Sequence, residues 1–268
     1  MLFAQITDLH VRVPGDRLAG RVDTGAFLER AVARLNALRP RPDFVLITGD
    51  LVDAGSELEY AHLRQLLGPL AVPVRLALGN HDNREAFRAS FPDLDYWNPA
   101  EPFLQYALEL EGCRVLMLDT LDQGKSSGAL CSSRLDWLAG QLAGDRTTPT
   151  IVAMHHPPVA VGLARMDGVR LLEGADRFEA LIRAAPNVER VLAGHLHRPV
   201  AMRFAGTVLD VMPGAAHQLH YDVDGAAPLK LIMESPMLQL HGTVPGVGLV
   251  SHKLYVDDFG GPHPFGGG

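Results

Sequence analysis

The sequence predicts a layered α/β fold, and three observations lead to this prediction. Short apolar segments recur along the chain, and each ends in polar residues. Segments in which apolar residues follow a helical spacing lie between them, so strands and helices alternate. The length of 268 residues suffices for one large domain, or for one domain with a small appendage, and for a sizeable core.

Six apolar segments predict strands. Runs of β-branched and large apolar residues that end at turn signals are typical of strands buried on both faces of a sheet. In chain order these segments are 2–10, 43–50, 72–82, 113–120, 149–156 and 188–197. They form the predicted centre of the fold.

Helical patterns lie between these strands. The predicted helices are 23–38, 56–67, 134–143 and 176–185. Apolar residues at spacings of three and four support the first helix, and Pro40 ends its pattern. Ser56 and Glu59 have the spacing of a capping box at the start of the second. Ser133 is expected to precede the third helix.

The segment 201–258 differs from the preceding domain, residues 1–200, because it shows strand patterns and no long helix. The stretch VAMRFAGTVLDVMPG predicts a hairpin around Ala205 and Gly206. This β-rich part is expected to complete the sheet, to form a cap or to make an oligomer contact. Residues 259–268 cannot bury enough apolar surface to be ordered alone, so a flexible tail is expected.

Composition and charge argue against several classes of function. The formal net charge is −7, with no block of lysine or arginine, so small substrates are expected and long nucleic acid is not. No apolar run approaches the roughly 20 residues that span a bilayer, so no membrane partner is expected. The N-terminal segment lacks the features of a secretory signal, which predicts a cytoplasmic location. Cys113 and Cys131 are too few for a disulfide framework.

Metal-binding types of side chain follow five of the six predicted strands. They are Asp8, His10, Asp50, Asn80, His81, Asp82, His155, His156, His195 and His197. The sixth strand is followed only by Asp119, for which a structural role is expected. Because the carboxyl ends of strands line one crevice in open α/β sheets, the ten side chains are expected to converge.

Each of these motifs alone has an ordinary explanation. Gly79 and Asn80 are typical of a turn, in which glycine supplies unusual backbone angles. Five strand ends that each carry a metal-binding group are much harder to explain by chance. Carboxylates, imidazoles and an amide without thiolates suit manganese, iron, cobalt, nickel or zinc. They are too many for one ion and fit two ions that share a carboxylate.

The combination resembles the full motif set of the calcineurin-like metallophosphoesterases. The matching segments are Asp8-x-His10, Gly49-Asp50, Gly79-Asn80-His81-Asp82, His156 and Gly194-His195-x-His197. The stretches RPDFVLITGDLVDAG and VPVRLALGNHDNR are similar to the bacterial branch that contains cyclic-nucleotide phosphodiesterases and glycerophosphodiesterases. The resemblance implies an α/β/β/α sandwich, with the catalytic domain in residues 1–200 and a small C-terminal cap that also makes a dimer contact.

The resemblance also implies a centre of two metal ions, drawn from Fe, Mn, Zn and Co, as a divalent or mixed-valence pair. In the family's pattern the first ion is held by Asp8, His10, Asp50 and His197, and the second by Asp50, Asn80, His156 and His195. His81, beside Asn80, is expected to contact the substrate phosphate, and Asp82 to orient His81. His155 is expected to be structural or to support a ligand.

The implied function is hydrolysis of 3′,5′-cyclic nucleotides or glycerophosphodiesters by in-line attack of a metal-bound hydroxide. Two alternatives remain open. A phosphomonoesterase of the same fold would need more positive charge, for which Arg12, Arg17 and Arg198 are candidates. A non-catalytic metal-binding scaffold would have no need of the whole ligand set. A homo-oligomer, a dimer or larger, is expected.

Overall fold

The computed structural model describes residues 1–98, 100–226, 228–264 and 266. Its strands are β1 (Leu2–Ile6), β2 (Phe44–Thr48), β3 (Val74–Ala77), β4 (Tyr106–Leu110), β5 (Cys113–Met117), β6 (Gly128–Ala129), β7 (Thr150–Ala153), β8 (Leu171–Glu173), β9 (Val188–Ala193), β10 (Val200–Phe204), β11 (Thr207–Val211), β12 (Gln218–Leu219), β13 (Leu231–Ile232), β14 (Met237–Val244) and β15 (Gly248–Tyr255). Its helices are α1 (Thr24–Ala37), α2 (Glu57–Leu67), α3 (Arg84–Ser90), α4 (Ser132–Gly144), α5 (Ala164–Asp167) and α6 (Ala175–Arg183).

Two sheets form the centre of the molecule. The first has the strand order β15-β14-β1-β2-β3, with β1, β2 and β3 parallel and β14 antiparallel to β1. The second has the order β10-β11-β9-β7-β5-β4, and its four inner strands are parallel. Its edge strands β10 and β4 are antiparallel to their neighbours. The pairs β12–β13 and β6–β8 are short.

Successive side chains of β5 show how the layers are arranged, because neighbouring residues of a strand point to opposite faces. Val115 belongs to the apolar core that joins the two sheets and also includes Leu28 of α1 and Leu63 of α2. Leu116, the next residue, belongs to a second core that includes Phe178 of α6. Each sheet therefore packs on the other and carries helices outside, which confirms the four-layer α/β/β/α sandwich.

All six predicted strands are present, each ending before the polar residues that follow it. The capping box is confirmed, since Glu59 N donates to Ser56 Oγ at 3.3 Å and Ser56 N donates to the Glu59 carboxylate at 3.1 Å. The third predicted helix starts earlier than expected, because Ser132 is already helical and Cys131 is its N-cap. Helix α3 was not predicted, and the Asn83 side chain caps it.

The predicted hairpin is confirmed, with β10 and β11 paired around Ala205 and Gly206. These two residues have φ of 48° and 95°, as a type I′ turn requires. Strands β11 and β14 join the second and first sheets respectively. Of the expected tail, residues 265, 267 and 268 lie outside the described residues. Among the described helices, none is both long and apolar enough to cross a bilayer.

Deletion of residues 213–268 is expected to make the chain insoluble or to change its oligomeric state. The deletion removes β14, which pairs with β1 from Leu2 to Gln5, and so leaves an apolar strand with an open edge. Light scattering measures the outcome, and deletion of 259–268 alone is the control because it keeps β14 and β15. A monodisperse product of 213–268 deletion with the original assembly size would contradict the expectation.

Replacement of Asp119 by alanine is expected to lower the free energy of unfolding by about 3–5 kcal/mol. Asp119 is fully buried, and Arg84 donates to it from Nε and Nη2 at 2.8 and 2.9 Å. The backbone N–H groups of Leu104 and Leu121 also donate to it, each at 3.0 Å. Urea unfolding gives the loss, with the exposed Asp95→Ala as control. Equal losses in both variants would show that the buried ion pair is unimportant.

Candidate metal centre

One group of predicted ligands lies at the carboxyl ends of β1, β2 and β9. It contains Asp8, His10, Asp50 and His197, whose ligand atoms all lie within 4.8 Å of one another. The Nε2 atom of His10 is 3.5 Å from Asp50 Oδ2, and the Nε2 atom of His197 is 3.4 Å from Asp8 Oδ1. All four side chains are buried. Buried carboxylates and imidazoles at such distances can hold one divalent ion.

A second group adjoins the first. Ring nitrogens of His155, His156 and His195 lie within 4.8 Å of one another, and His155 Nε2 is 3.3 Å from Asp50 Oδ2. Within the part of the chain that the structure describes, the buried Nε2 atoms of all three histidines and Oδ1 of Asn80 have no hydrogen-bond partner. Buried polar atoms are normally paired. His155 Nε2 has the Asp50 carboxylate nearby, and the other three atoms fit a second cation.

Two of the motif glycines, Gly79 and Gly194, are explained by close approach between loops. A Cβ atom on Gly79 would overlap the carboxylate of Asp50, and a Cβ atom on Gly194 would overlap Thr7 and approach Asp8. Gly79 lies outside the positive-φ region, so the turn explanation that its sequence suggested gives the wrong reason for this glycine. The absence of a side chain, rather than an unusual φ, lets the β3 loop approach Asp50.

The predicted ligands include five residues with left-handed backbone. The φ angles are 54° for Asp8, 47° for His10, 48° for Asp50, 71° for His195 and 48° for His197. Such a conformation costs roughly 1–2 kcal/mol for a residue other than glycine and persists only when its surroundings impose it. Here the loops after β1 and β2 brace each other, because Asp8 N donates to Gly49 O and His10 N donates to Asp50 O at 3.1 and 3.0 Å.

The local environment favours the metal-binding forms of Asp50, His156 and His195, whereas at His10 burial is outweighed by the nearby Asp53, Asp50 and Asp8, which raise the pKa. Burial opposes ionisation of Asp50, but His155 and His10 hold the pKa of its carboxyl well below the usual range. Burial lowers the pKa of His195 to about 3 and that of His156 well below its usual value, and the neighbouring imidazoles add to both effects. An ionised carboxylate and neutral imidazoles result, and these are the ligand states that metal binding requires.

His155 differs from the other histidines of the site. Burial disfavours its cation, yet the nearby Asp50 raises the pKa of His155 to about 9. Its Nδ1 atom is hydrogen-bonded to the carbonyl oxygen of Thr48 at 2.8 Å. With Nδ1 donating to this carbonyl oxygen and Nε2 3.3 Å from Asp50 Oδ2, His155 is placed to pair with the Asp50 carboxylate.

In two predicted ligands, the ring nitrogen that faces away from the cluster is held by a hydrogen bond. His156 Nδ1 is 2.8 Å from the Thr120 hydroxyl, and His197 Nδ1 is 3.0 Å from the carbonyl oxygen of His217. A hydrogen bond to one ring nitrogen sets the orientation of the imidazole and leaves the other nitrogen for a metal ion. In both residues that other nitrogen is Nε2, the atom that lies in the cluster.

His81 lies at the mouth of the site, with 40% of its side chain exposed. Its Nδ1 atom is 2.7 Å from the carbonyl oxygen of Asp53, and its backbone N–H donates to Asp50 Oδ1 at 2.9 Å. A carbonyl oxygen only accepts, so Nδ1 carries the hydrogen. The Nε2 atom is then the one available to a molecule in the cavity.

The orienting role expected for Asp82 needs correction. Its buried carboxylate accepts from Gly79 N at 2.8 Å, from the Tyr60 hydroxyl at 2.9 Å and from Leu51 N at 3.1 Å. It therefore fastens the loops after β2 and β3 to each other instead of contacting the His81 ring. Burial and the nearby charge of Asp50 raise the pKa of Asp82 to about 7.

Asp53 and His217 also belong to the site and were not predicted. Asp53 Oδ1 is 3.2 Å from His10 Nδ1, and the carboxylate forms an ion pair with Arg12. A ring nitrogen of His217 lies within 4.8 Å of those of His10 and His197. Asp53 lies three residues after Asp50 in the GDLVDAG stretch, which is a weak local signal that it belongs to the site. His217 lies in the β-rich segment three residues before His220, outside the motifs at the ends of the predicted strands.

The metal-binding groups open into one cavity of about 700 Å³. Its lining includes the polar residues His10, Asp50, Asn80, His81, His195, His197 and His217 and the apolar residues Leu18, Met166, Val169, Leu219 and Leu229. This volume is within the range of small-molecule sites. All the predicted ligands except the fully buried Asp8 and His156 therefore line the cavity itself.

The comparisons with known sequences give a consistent result. The sequence model of calcineurin-like phosphoesterases matches residues 1–199. A glycerophosphodiester phosphodiesterase of Enterobacter lignolyticus is 34% identical over 269 residues, which cover 98% of this chain and 94% of the relative. A 3′,5′-cyclic adenosine monophosphate phosphodiesterase of Pseudomonas aeruginosa is 34% identical over 201 residues, which cover 74% of this chain and 70% of the relative.

Solved structures share the architecture at low sequence identity. A dimetal phosphatase from Danio rerio superposes with a TM-score of 0.63 at 14% identity, over 95% of this chain and 98% of that one. The purple acid phosphatase PPD1 of yellow lupin gives 0.68 at 14% identity, over 95% of this chain and 51% of that one. Such identity shows the fold alone. The match over residues 1–199, together with the two bacterial relatives, makes this chain a member of the calcineurin-like phosphoesterase family.

Proposed function

We propose that the protein is a metal-dependent phosphodiesterase that hydrolyses small phosphodiesters with two metal ions. The proposal rests on one observation, the two adjoining donor groups that meet at Asp50 in a single cavity. Two ions joined by a carboxylate can bind the attacking and the leaving oxygen of an in-line displacement together. The relatives are named for glycerophosphodiesters and a cyclic nucleotide, which are small phosphodiesters.

We assign a separate ligand set to each ion. The first set is Asp8, His10, Asp50 and His197, and the second is Asp50, Asn80, His156 and His195. Bound there, the ions would supply Lewis acidity and a lower pKa for a coordinated water. Fe, Mn, Zn and Co, as a divalent or mixed-valence pair, all suit these nitrogen and oxygen donors. The unpartnered atoms of Asn80, His156 and His195 support the second set.

His81 is the residue that we propose to act on the substrate directly. Its Nδ1 donates to the carbonyl oxygen of Asp53, so in the protonated imidazole Nε2 can donate a hydrogen bond to a phosphoryl oxygen or a proton to the leaving alcohol. The amide nitrogen of Asn80, which lines the same cavity, can donate to the phosphoryl group as well. Asp82 would act indirectly, by holding in place the loop that contains Asn80 and His81.

The arrangement of charges favours diesters over monoesters. A monoester at neutral pH carries more negative charge than a diester and needs more positive charge in its site. Arg12 is paired with Asp16 and Asp53, and Arg198 is paired with Glu234. The positive charge of these arginines is therefore already matched by carboxylates of the protein. Phosphomonoester hydrolysis remains the second candidate function.

Turnover of bis(p-nitrophenyl) phosphate and of p-nitrophenyl phosphate, with metals counted in the same sample, tests the proposal. We expect two metal ions per chain and a higher kcat/KM for the diester. A higher kcat/KM for the monoester would establish the alternative. Two bound ions without turnover of either ester would indicate a metal-binding scaffold.

Location, assembly and binding partners form a further part of the proposal. We propose a cytoplasmic protein that forms a dimer or larger homo-oligomer and does not bind long nucleic acid or membranes. A net charge of −7 opposes binding to a polyanion. Cell fractionation tests the location and the absence of membrane binding, sedimentation velocity tests the assembly, and titration with duplex DNA tests binding to nucleic acid. Recovery in the membrane fraction, a monomer or saturable DNA binding would each contradict one of these proposals.

A further inference from the structure

A second cavity adjoins the metal centre, and we call it the side chamber. Its volume is about 240 Å³, and its lining includes Leu163, Met166, Leu219, Tyr221, Leu229 and Lys230. Met166, Leu219 and Leu229 also line the cavity of the metal centre. The two spaces therefore lie side by side and share part of their lining.

The walls of the side chamber are held in place by hydrogen bonds. One wall is α5 with the loop before it, in which the Asp167 carboxylate accepts from Val161 N at 2.8 Å and Gly162 N at 3.0 Å. The other wall is the β12–β13 hairpin, where His220 N donates to Lys230 O at 2.7 Å. A chamber built in this way exists before a ligand enters, so little ordering is needed on binding.

The lining of the side chamber combines large apolar side chains with charged ones. Leu163 and Met166 form a buried base, whereas Tyr221 and Leu229 are 63% and 55% exposed. Large apolar side chains that are exposed beside a cavity are typical of a surface that a ligand covers. Among the charged groups of the lining, Arg198 already donates to the Glu234 carboxylate at 2.6 Å and to Leu219 O at 3.1 Å.

We propose that the side chamber binds one ester substituent of the diester and selects a planar group with apolar faces, such as a nucleobase or an aryl ring, over glycerol. The inference rests on the proposed function, because the phosphorus must lie at the metal centre. A flat ring gains contacts with Leu229, with the Met166 thioether and with the Tyr221 ring. Glycerol has no comparable apolar face, so it would gain less from contact with these three side chains.

The test compares kcat/KM for cyclic AMP with kcat/KM for glycerophosphoethanolamine in the metal-loaded full chain. We expect the wild type to favour cyclic AMP. We expect Leu229→Asp and Tyr221→Ala each to reduce this preference by about 10-fold or more, mainly through KM for cyclic AMP. The matched controls are Leu172→Asp on β8 and Tyr255→Ala on β15, since Leu172 and Tyr255 are 48% and 50% exposed and lie outside both linings.

Binding of the reaction products gives a readout that does not depend on turnover. Calorimetric titration should show tighter binding of 5′-AMP than of glycerol phosphate to the wild type, and a smaller difference in the Leu229→Asp variant. A preference for glycerophosphoethanolamine, or variants that match their controls while diesters are still hydrolysed, would overturn the side-chamber assignment alone. A metal-loaded protein that hydrolyses no diester, bis(p-nitrophenyl) phosphate included, would instead refute the proposed function.

Discussion

Replacement of Asp50 by asparagine is expected to remove at least one metal ion and almost all phosphodiester turnover. Asp50 is the carboxylate at which both donor groups meet, 3.5 Å from His10 Nε2 and 3.3 Å from His155 Nε2. A neutral amide cannot balance two adjacent cations. Loss of one transition-state donor typically lowers turnover by about 10²–10³-fold. Because Asp50→Asn affects both ions, we expect a larger fall in turnover.

Asparagine is a sharper replacement than alanine at this position. It tolerates the φ of 48° and keeps an acceptor for the N–H group of His81, so the fold should survive. Metal analysis, circular dichroism and turnover are measured together, with the exposed Asp95→Asn as control. A folded Asp50→Asn variant with two ions per chain and nearly full activity would rule out a shared carboxylate.

Replacement of His81 by alanine is expected to leave both metal ions in place and to lower turnover by about 10²–10⁴-fold. The side chain is not in either proposed ligand set, and its Nδ1 is already bonded to Asp53 O. Loss of the ring should therefore remove a contact with the substrate and no metal ligand. A metal ligand would instead lose an ion on replacement, and a simple turn residue would change little.

The size of the His81 effect should depend on the leaving group. An alcohol of high pKa needs a proton or a hydrogen bond as its bond to phosphorus breaks, whereas nitrophenolate stabilises its own charge. The ratio of wild-type to variant turnover is therefore expected to rise with leaving-group pKa. Replacement of the exposed His252 on β15 by alanine is the control. A constant ratio with two ions bound would leave His81, at most, a role in binding the phosphoryl oxygens.

The sequence predicted the central sheets and the ligand groups because both depend on local patterns. An apolar run predicts a strand, and the polar residue at its end, such as Asp8, Asp50 or His195, is the candidate ligand, so one short stretch of chain indicates both. Parallel strands then bring their carboxyl ends to one edge without any further information. In contrast, α3 has only seven residues and depends on the cap at Asn83, so its periodicity was too short to recognise.

The parts of the site that the sequence did not predict depend on contacts between residues far apart in the chain. Asp82 precedes Asn83 in a polar loop, and only the fold shows that its carboxylate is directed at Leu51 and Tyr60. His217 reaches His197 across a hairpin, which no spacing in the sequence reveals. The side chamber similarly requires that the segment after residue 217 return to α5. Such placements follow from tertiary packing and not from composition.

The left-handed backbone at five ligands links the chemistry of the protein to its stability. At these positions glycine would adopt the backbone angles without strain, but it would also delete an oxygen or nitrogen donor. In His10→Gly the relief of strain would come with the loss of a buried side chain and of its contacts with Asp53 and His197. The strained angles are therefore a cost in stability that cannot be removed by glycine without removing the donor atom at the same position.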